Sequence, residues 1–136
     1  MKAWVYKSCT FDAAHTLPLH PGKCSKLHGH TYKVELGIEC EVDPTTGMGI
    51  DMGDLGKFLE MNVVALFDHS NLNDKMPNVQ PTAENIAKEV LETAIRYFGP
   101  LPPAQSPKAP QAFPYRRMKV KVFETPDSWV EVERVG

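Results

Sequence analysis

His28-Gly29-His30 places two imidazoles two residues apart, with the thiol of Cys24 four residues before the first. On an extended strand, residues i and i+2 point to the same face, so both imidazoles can chelate one metal ion. His15 is a third candidate. It ends the run Phe11-Asp12-Ala13-Ala14-His15. If that strand pairs antiparallel with the one beginning at His28, with paired numbers summing to roughly 43–45, three imidazoles meet at one end of the hairpin. Three neutral nitrogens suit Zn²⁺ and leave one position open, as in catalytic zinc sites; structural sites are closed and thiolate-rich. Cys24 then has two readings. It could be a fourth ligand and close the site. It could also stand off the metal as a thiolate, favoured by Lys23, Lys26 and the cation, and take a proton from a bound substrate.

Two further groups could move or hold protons. Asp68-His69 sets a carboxylate beside an imidazole, which can hold and charge it. The plain alternative is a solvated helix end. Glu124 shares a strand face with Met118, Val120 and Val122, and a carboxylate on an apolar face needs a partner. That partner is either a salt bridge or a ligand with paired N–H donors.

The elements that must position these groups are legible. Residues 3–13 are rich in aromatic and β-branched types and read as a strand. Residues 16–27, with Pro18, Pro21 and Gly22, read as a loop. Over 28–42, Tyr32, Val34, Leu36, Ile38, Cys40 and Val42 alternate with Lys33, Glu35, Gly37, Glu39 and Glu41, a strand with one apolar face. His28 and His30 continue that face, so their imidazoles should lie on the covered side. Leu55, Phe58, Leu59, Val63 and Leu66 recur at helical spacing over 52–66, with Gly53 and Gly56 in the first turn. A polar loop is expected at 68–74. A second helix is expected from an N-cap at Thr82, with Glu84 in its positive first turn, to Phe98, with Ile86, Val90, Ala94 and Tyr97 inward. Gly99 and six prolines over 99–114 exclude helix and central strand, leaving an extended loop. Strands at 117–124 and 128–135 complete a ββααββ order. This predicts an α+β fold, an antiparallel four-stranded sheet with two helices on one face.

Composition narrows the function. A formal net charge of −2 and no basic block argue against nucleic acid. No apolar run approaches the roughly 20 residues of a membrane helix, and residues 1–7 lack the apolar core of a secretory signal. A cytoplasmic protein of one domain, 1–136, is expected. Three cysteines without a Cys-x-x-Cys pair argue against a disulfide framework. The hairpin register also sets Cys9 opposite residues near 34–36, too far from Cys40 for a bridge.

Taken together in order, Phe11-Asp12-Ala13-Ala14-His15, Cys24-x-x-x-His28-Gly29-His30, Asp68-His69-x-x-Leu72-Asn73, Pro81-Thr82-x-Glu84-Asn85 and Glu124-Thr125 resemble the 6-pyruvoyl-tetrahydropterin synthase family. The resemblance covers nearly the whole chain except 99–116. The three-residue gap between Cys24 and His28 is similar to the bacterial 6-carboxy-5,6,7,8-tetrahydropterin synthase branch; animal 6-pyruvoyl enzymes have a longer gap. Cys24 also separates the chain from a folate-linked branch with glutamate there. The resemblance implies a T-fold, in which subunits join their sheets into an oligomeric barrel, a hexamer built as a dimer of trimers or another barrel assembly. It implies zinc held by His15, His28 and His30, Cys24 as acid–base residue, Asp68 and His69 as its relay, and Glu124 as anchor of the pterin ring. Thr82 and Glu84 match positions near the substrate. The implied reaction converts 7,8-dihydroneopterin triphosphate to 6-carboxy-5,6,7,8-tetrahydropterin, acetaldehyde and triphosphate, on the route to queuosine. The 6-pyruvoyl outcome, elimination of triphosphate alone, is the alternative, and a non-catalytic zinc-binding module is the reading from another class. Met52 departs from the aromatic usual after the aspartate matched by Asp51. The segment 99–116 is longer and richer in proline than in compact bacterial members, and Arg116 and Arg117 at its end could reach an anionic substrate.

Overall fold

The period-two pattern of Tyr32, Val34, Leu36 and Ile38 builds the strand around which everything else is arranged. All four side chains are fully buried, each contributing roughly 1.5–3 kcal/mol. The computed structural model describes residues 1–99 and 117–134. From the N-terminus the elements are β1 (Lys2–His15), β2 (His28–Glu41), α1 (Met52–Leu59), a π-helical turn (Glu60–Val64), α2 (Ala65–Phe67), β3 (Ser70–Asn71), α3 (Leu72–Lys75), α4 (Ala83–Phe98), β4 (Met118–Thr125) and β5 (Ser128–Arg134). The proline-rich loop expected at 99–116 lies, from Pro100 onward, outside the described residues. So does Arg116. No described helix is long and apolar enough to cross a membrane.

Strand order in the sheet is β3-β1-β2-β4-β5. The four long strands pair antiparallel in the predicted arrangement. The β1–β2 register runs from Lys2 opposite Glu41 to His15 opposite His28, and sets Cys9 against Val34. Cys9, Cys24 and Cys40 are free thiols. Burial, then repulsion from Glu60, pushes the Cys9 thiol up to about 11, so it behaves as a small apolar group.

The structure corrects the sequence reading in three places. The sheet has a fifth strand. Ser70 and Asn71, in the stretch read as a loop, pair parallel with Ala13 and Ala14 on the free edge of β1. Pairing there satisfies edge N–H and C=O groups that a loop would leave to water. Leu66 points outward, 49% exposed, and Phe67 takes its place in the core at 4%. The π-helical turn widens the coil, so the buried face steps from Leu59 to Val63 to Phe67. Tyr97 is exposed on α4, its ring resting against Phe58 at 5.2 Å between centroids.

Helix α1 begins at Asp51, whose carboxylate accepts from Gly53 N at 2.8 Å; this local cap offsets the cost of Gly53 and Gly56. α1 packs on β1, and α4 on β4 and β5. The helices therefore cover the same sheet face that carries the β2 apolar residues, and that face ends in the histidines.

Candidate functional site

His15 is the last residue of β1 and is wholly buried. Its Nδ1–H donates to the Pro81 carbonyl at 2.8 Å. His28 Nδ1–H donates to the Lys26 carbonyl at 2.7 Å. As neutral imidazoles, both rings therefore present an Nε2 lone pair inward, and the two Nε2 atoms stand 3.0 Å apart. Facing lone pairs at that distance repel unless a cation lies between them. Two nitrogens on one tetrahedral zinc would be about 3.3 Å apart.

His30 completes the set. Its Nε2 is buried and has no hydrogen-bond partner. Glu124 Oε1 comes within 2.8 Å of it and within 3.5 Å of His15 Nε2, but off the line of an N–H donor to His30. Burial holds the His30 imidazole below its ordinary value, and His15 and His28 add to this against the pull of Glu124. A neutral, orphaned nitrogen beside two oriented lone pairs fits a metal ion. The carbonyls behind His15 and His28 are the outer partners that ligating imidazoles need. Glu124, expected at the pterin ring, lies beside the three histidines, with a carboxylate oxygen within 4.8 Å of their nitrogens.

Three residues support the centre beyond what their spacing suggested. Tyr32 reads in sequence only as core, yet its buried hydroxyl lies 3.3 and 3.4 Å from the two His15 nitrogens. Burial, and then the charge of Glu124, raises its pKa, so it stays protonated. Asn73 accepts from Thr16 N at 2.8 Å and donates to Thr16 O at 3.0 Å, clamping the chain just after His15. Thr82 caps α4 by accepting from Asn85 N at 3.1 Å, which sets the position of the Pro81 carbonyl. The motif containing Asn73, Pro81 and Asn85 was the available signal for these supports; the contacts themselves are long-range.

Asp68 and His69 form a second group. His69 Nδ1 and Asp68 Oδ2 are 2.9 Å apart. A hydrogen bond from Asp12 N is the main cause holding the Asp68 carboxyl below its ordinary value, followed by His69. Asp68 in turn raises the His69 pKa, first by hydrogen bond and then by charge. His69 has φ of 57°, the left-handed region that non-glycine residues rarely occupy, and its side chain is 80% exposed. Such an outlier is held by its surroundings, here by a 2.6 Å bond from His69 N to Asp12 O.

An open cavity of about 550 Å³ lies along the end of the hairpin, with Ala14 and Gly29 among its lining and His30, Thr31, Asp12 and His69 around it. His30 and His69 thus border one space. Cys24 sits half-buried in a short 3₁₀ turn, Lys23–Ser25, tied to the loop by Leu17 N donating to Cys24 O at 2.9 Å. Among the described residues it joins neither the histidine cluster nor the Asp68–His69 group. Glu84 is exposed in the first turn of α4. Arg117 is paired with Glu133 and with Glu39, the latter at 3.5 Å, and lies over the Trp4 ring.

Comparison with known proteins follows the same line. Residues 4–135 match the profile of the 6-pyruvoyl tetrahydropterin synthase family. An Archaeoglobus fulgidus protein provisionally named 6-carboxy-5,6,7,8-tetrahydropterin synthase is 39% identical over 127 residues, 93% of this chain and 92% of its own. The 6-carboxy-5,6,7,8-tetrahydropterin synthase of Synechocystis sp. is 37% identical over 120 residues, 71% of this chain and 93% of its own. The structure of Caenorhabditis elegans 6-pyruvoyl tetrahydropterin synthase superposes with a TM-score of 0.76 at 27% identity, covering 99% of this chain and 97% of that one. The chain belongs to the 6-pyruvoyl tetrahydropterin synthase family and has its T-fold.

Proposed function

We propose that this member of the 6-pyruvoyl tetrahydropterin synthase family is a Zn²⁺ enzyme that converts 7,8-dihydroneopterin triphosphate to 6-carboxy-5,6,7,8-tetrahydropterin, acetaldehyde and triphosphate. The observation that carries the reading is the convergence of His15, His28 and His30, with two Nε2 lone pairs 3.0 Å apart and a third nitrogen orphaned. The names of the Archaeoglobus and Synechocystis relatives support the 6-carboxy product. A place on the route to queuosine and a cytoplasmic location belong to the same proposal.

His15, His28 and His30 would hold the zinc. Bound there, the metal supplies Lewis-acid polarisation of the substrate's side-chain hydroxyls. Cys24, outside the ligand cluster, is left free to take a proton from the substrate. Asp68 orients and charges His69, which moves the second proton at the cavity. Glu124, on the face that carries the histidines, accepts two hydrogen bonds from the 2-amino-pyrimidinone edge and so orients the side chain. Thr82 serves through the cap that holds Pro81 against His15, and Glu84 adds a carboxylate in the same first turn. Among the described residues the outer edge of β5 has no strand partner, and a homo-oligomeric barrel would cover it.

The test is incubation of pure, zinc-loaded protein with 7,8-dihydroneopterin triphosphate, followed by mass analysis of the pterin and assay of acetaldehyde. Both products are expected. A pterin product without acetaldehyde establishes instead the 6-pyruvoyl outcome, the reading favoured by likeness to the Caenorhabditis elegans structure. No turnover at all overturns both, and a metal lost on Cys24→Ala would point to a closed zinc-binding module.

A further inference from the structure

We propose that Asp12 is a positioning residue for His69, gripping the Asp68–His69 turn from β1 and setting the imidazole at the cavity. An aspartate within a strand needs a reason, because its short polar side chain competes with ladder hydrogen bonds. The outer sheet face at this position asks only for a residue that water tolerates. The structure gives Asp12 four specific contacts instead. Its N–H donates to Asp68 Oδ1 at 2.9 Å. Its carbonyl accepts from His69 N at 2.6 Å, which holds the left-handed backbone of His69. Its carboxylate accepts from the Thr31 hydroxyl directly across the hairpin, which fixes the side chain's orientation. Finally, the Asp12 and Asp68 carboxylates and the His69 imidazole lie with ligand atoms within 4.8 Å of one another.

Two carboxylates that close repel, and a protonated imidazole beside both offsets the repulsion. Asp68 from its own turn and Asp12 from β1 are the charged groups that act on His69, while β2 offers the neutral Thr31. The backbone contacts belong to any residue at position 12; the carboxylate and its Thr31 tether belong to aspartate. His30 and Thr31 are neighbours on β2, so one strand carries a histidine of the metal cluster on its inner face and the tether of the acid–base pair on its outer face.

The consequence for turnover rests on the function proposed above; the positioning itself does not. The experiment is a titration of the His69 Cε1–H signal by NMR in the parent, Asp12→Asn and Thr31→Val proteins, with thermal unfolding alongside and kcat and KM measured across pH. Attraction of one charge across about 5 Å of water is equivalent to about half a pH unit. The His69 midpoint should fall by about that much in Asp12→Asn, with a smaller fall in Thr31→Val, and 1 M NaCl should shrink both shifts. The alkaline limb of the rate profile should move down with it, KM staying near the parent value, and Asp12→Glu should recover part of the shift. A His69 midpoint unchanged in Asp12→Asn overturns the proposal. If Asp12→Asn does not fold, an unchanged midpoint in Thr31→Val does the same. Absence of pterin turnover in the parent would sink the proposed function and leave the NMR reading intact.

Discussion

Replacing Thr82 with alanine separates two roles that its place in the sequence leaves mixed, substrate contact and helix cap. Its Oγ1 accepts from Asn85 N at 3.1 Å and its backbone is extended, the geometry of an N-cap. Loss of such a cap costs about 1 kcal/mol. In a chain of 136 residues this lowers the melting temperature by about 3–4 °C. The second effect is on the proposed metal centre. The Pro81 carbonyl, one residue before the cap, takes the His15 Nδ1–H at 2.8 Å, so a frayed first turn displaces the partner that orients His15. Disturbing an outer partner of this kind weakens metal binding by about 10-fold or more. Thr82→Asp should restore both properties, since it caps the helix and suits the positive end of the dipole. The assays are thermal unfolding at fixed protein and zinc concentration, because both move the transition, and zinc affinity by chelator competition. At saturating zinc, kcat and KM of Thr82→Ala should stay near the parent values. An unchanged melting temperature with a raised KM would refute the cap reading and make the hydroxyl a substrate contact.

Further predictions follow from the same geometry. Cys24→Ala should keep zinc and pterin binding and lose turnover, checked by metal analysis and steady-state kinetics; wild-type activity would remove Cys24 from the mechanism. The Asp68–His69 contact has a defined pH window. Asp68 is depressed below its ordinary 3.8, so its contribution is present above that value and fades as pH falls through the depressed one. His69 is raised above 6.5, so its contribution is full below 6.5 and fades as pH rises through the raised value. Asp68→Asn should therefore lower the His69 NMR midpoint, and a parent midpoint at or below 6.5 would contradict the pairing. Gly49 has no room for a side chain: an added Cβ would clash with Cys40 Sγ. Gly49→Ala should cost roughly 1–3 kcal/mol in urea unfolding, with part recovered in the double variant with Cys40→Ala. Additive losses would show that the clash is not the cause.

The β1–β2 hairpin and both main helices were legible because period-two and helical patterns record which face each element buries. His15, His28 and His30 were legible as partners for the same reason: alternation assigns the face, and the antiparallel register brings His15 opposite His28. What spacing could not carry was anything depending on contacts between distant segments. The Pro81 carbonyl behind His15, the Asn73 clamp on Thr16 and the Asp12 grip on His69 each join residues more than 50 positions apart. Leu66 and Phe67 exchanged places because a π-helical turn shifts the helical phase, and a π turn has no pattern of its own in sequence. Glu124 could be placed on the apolar face of β4, yet only the packed sheet brought it within 2.8 Å of His30. Local chemistry and periodicity thus determined which side chains face the site. The tertiary structure decided which nitrogen His15 presents, because that choice is made by the Pro81 carbonyl, 66 residues away, while the Lys26 carbonyl makes it locally for His28.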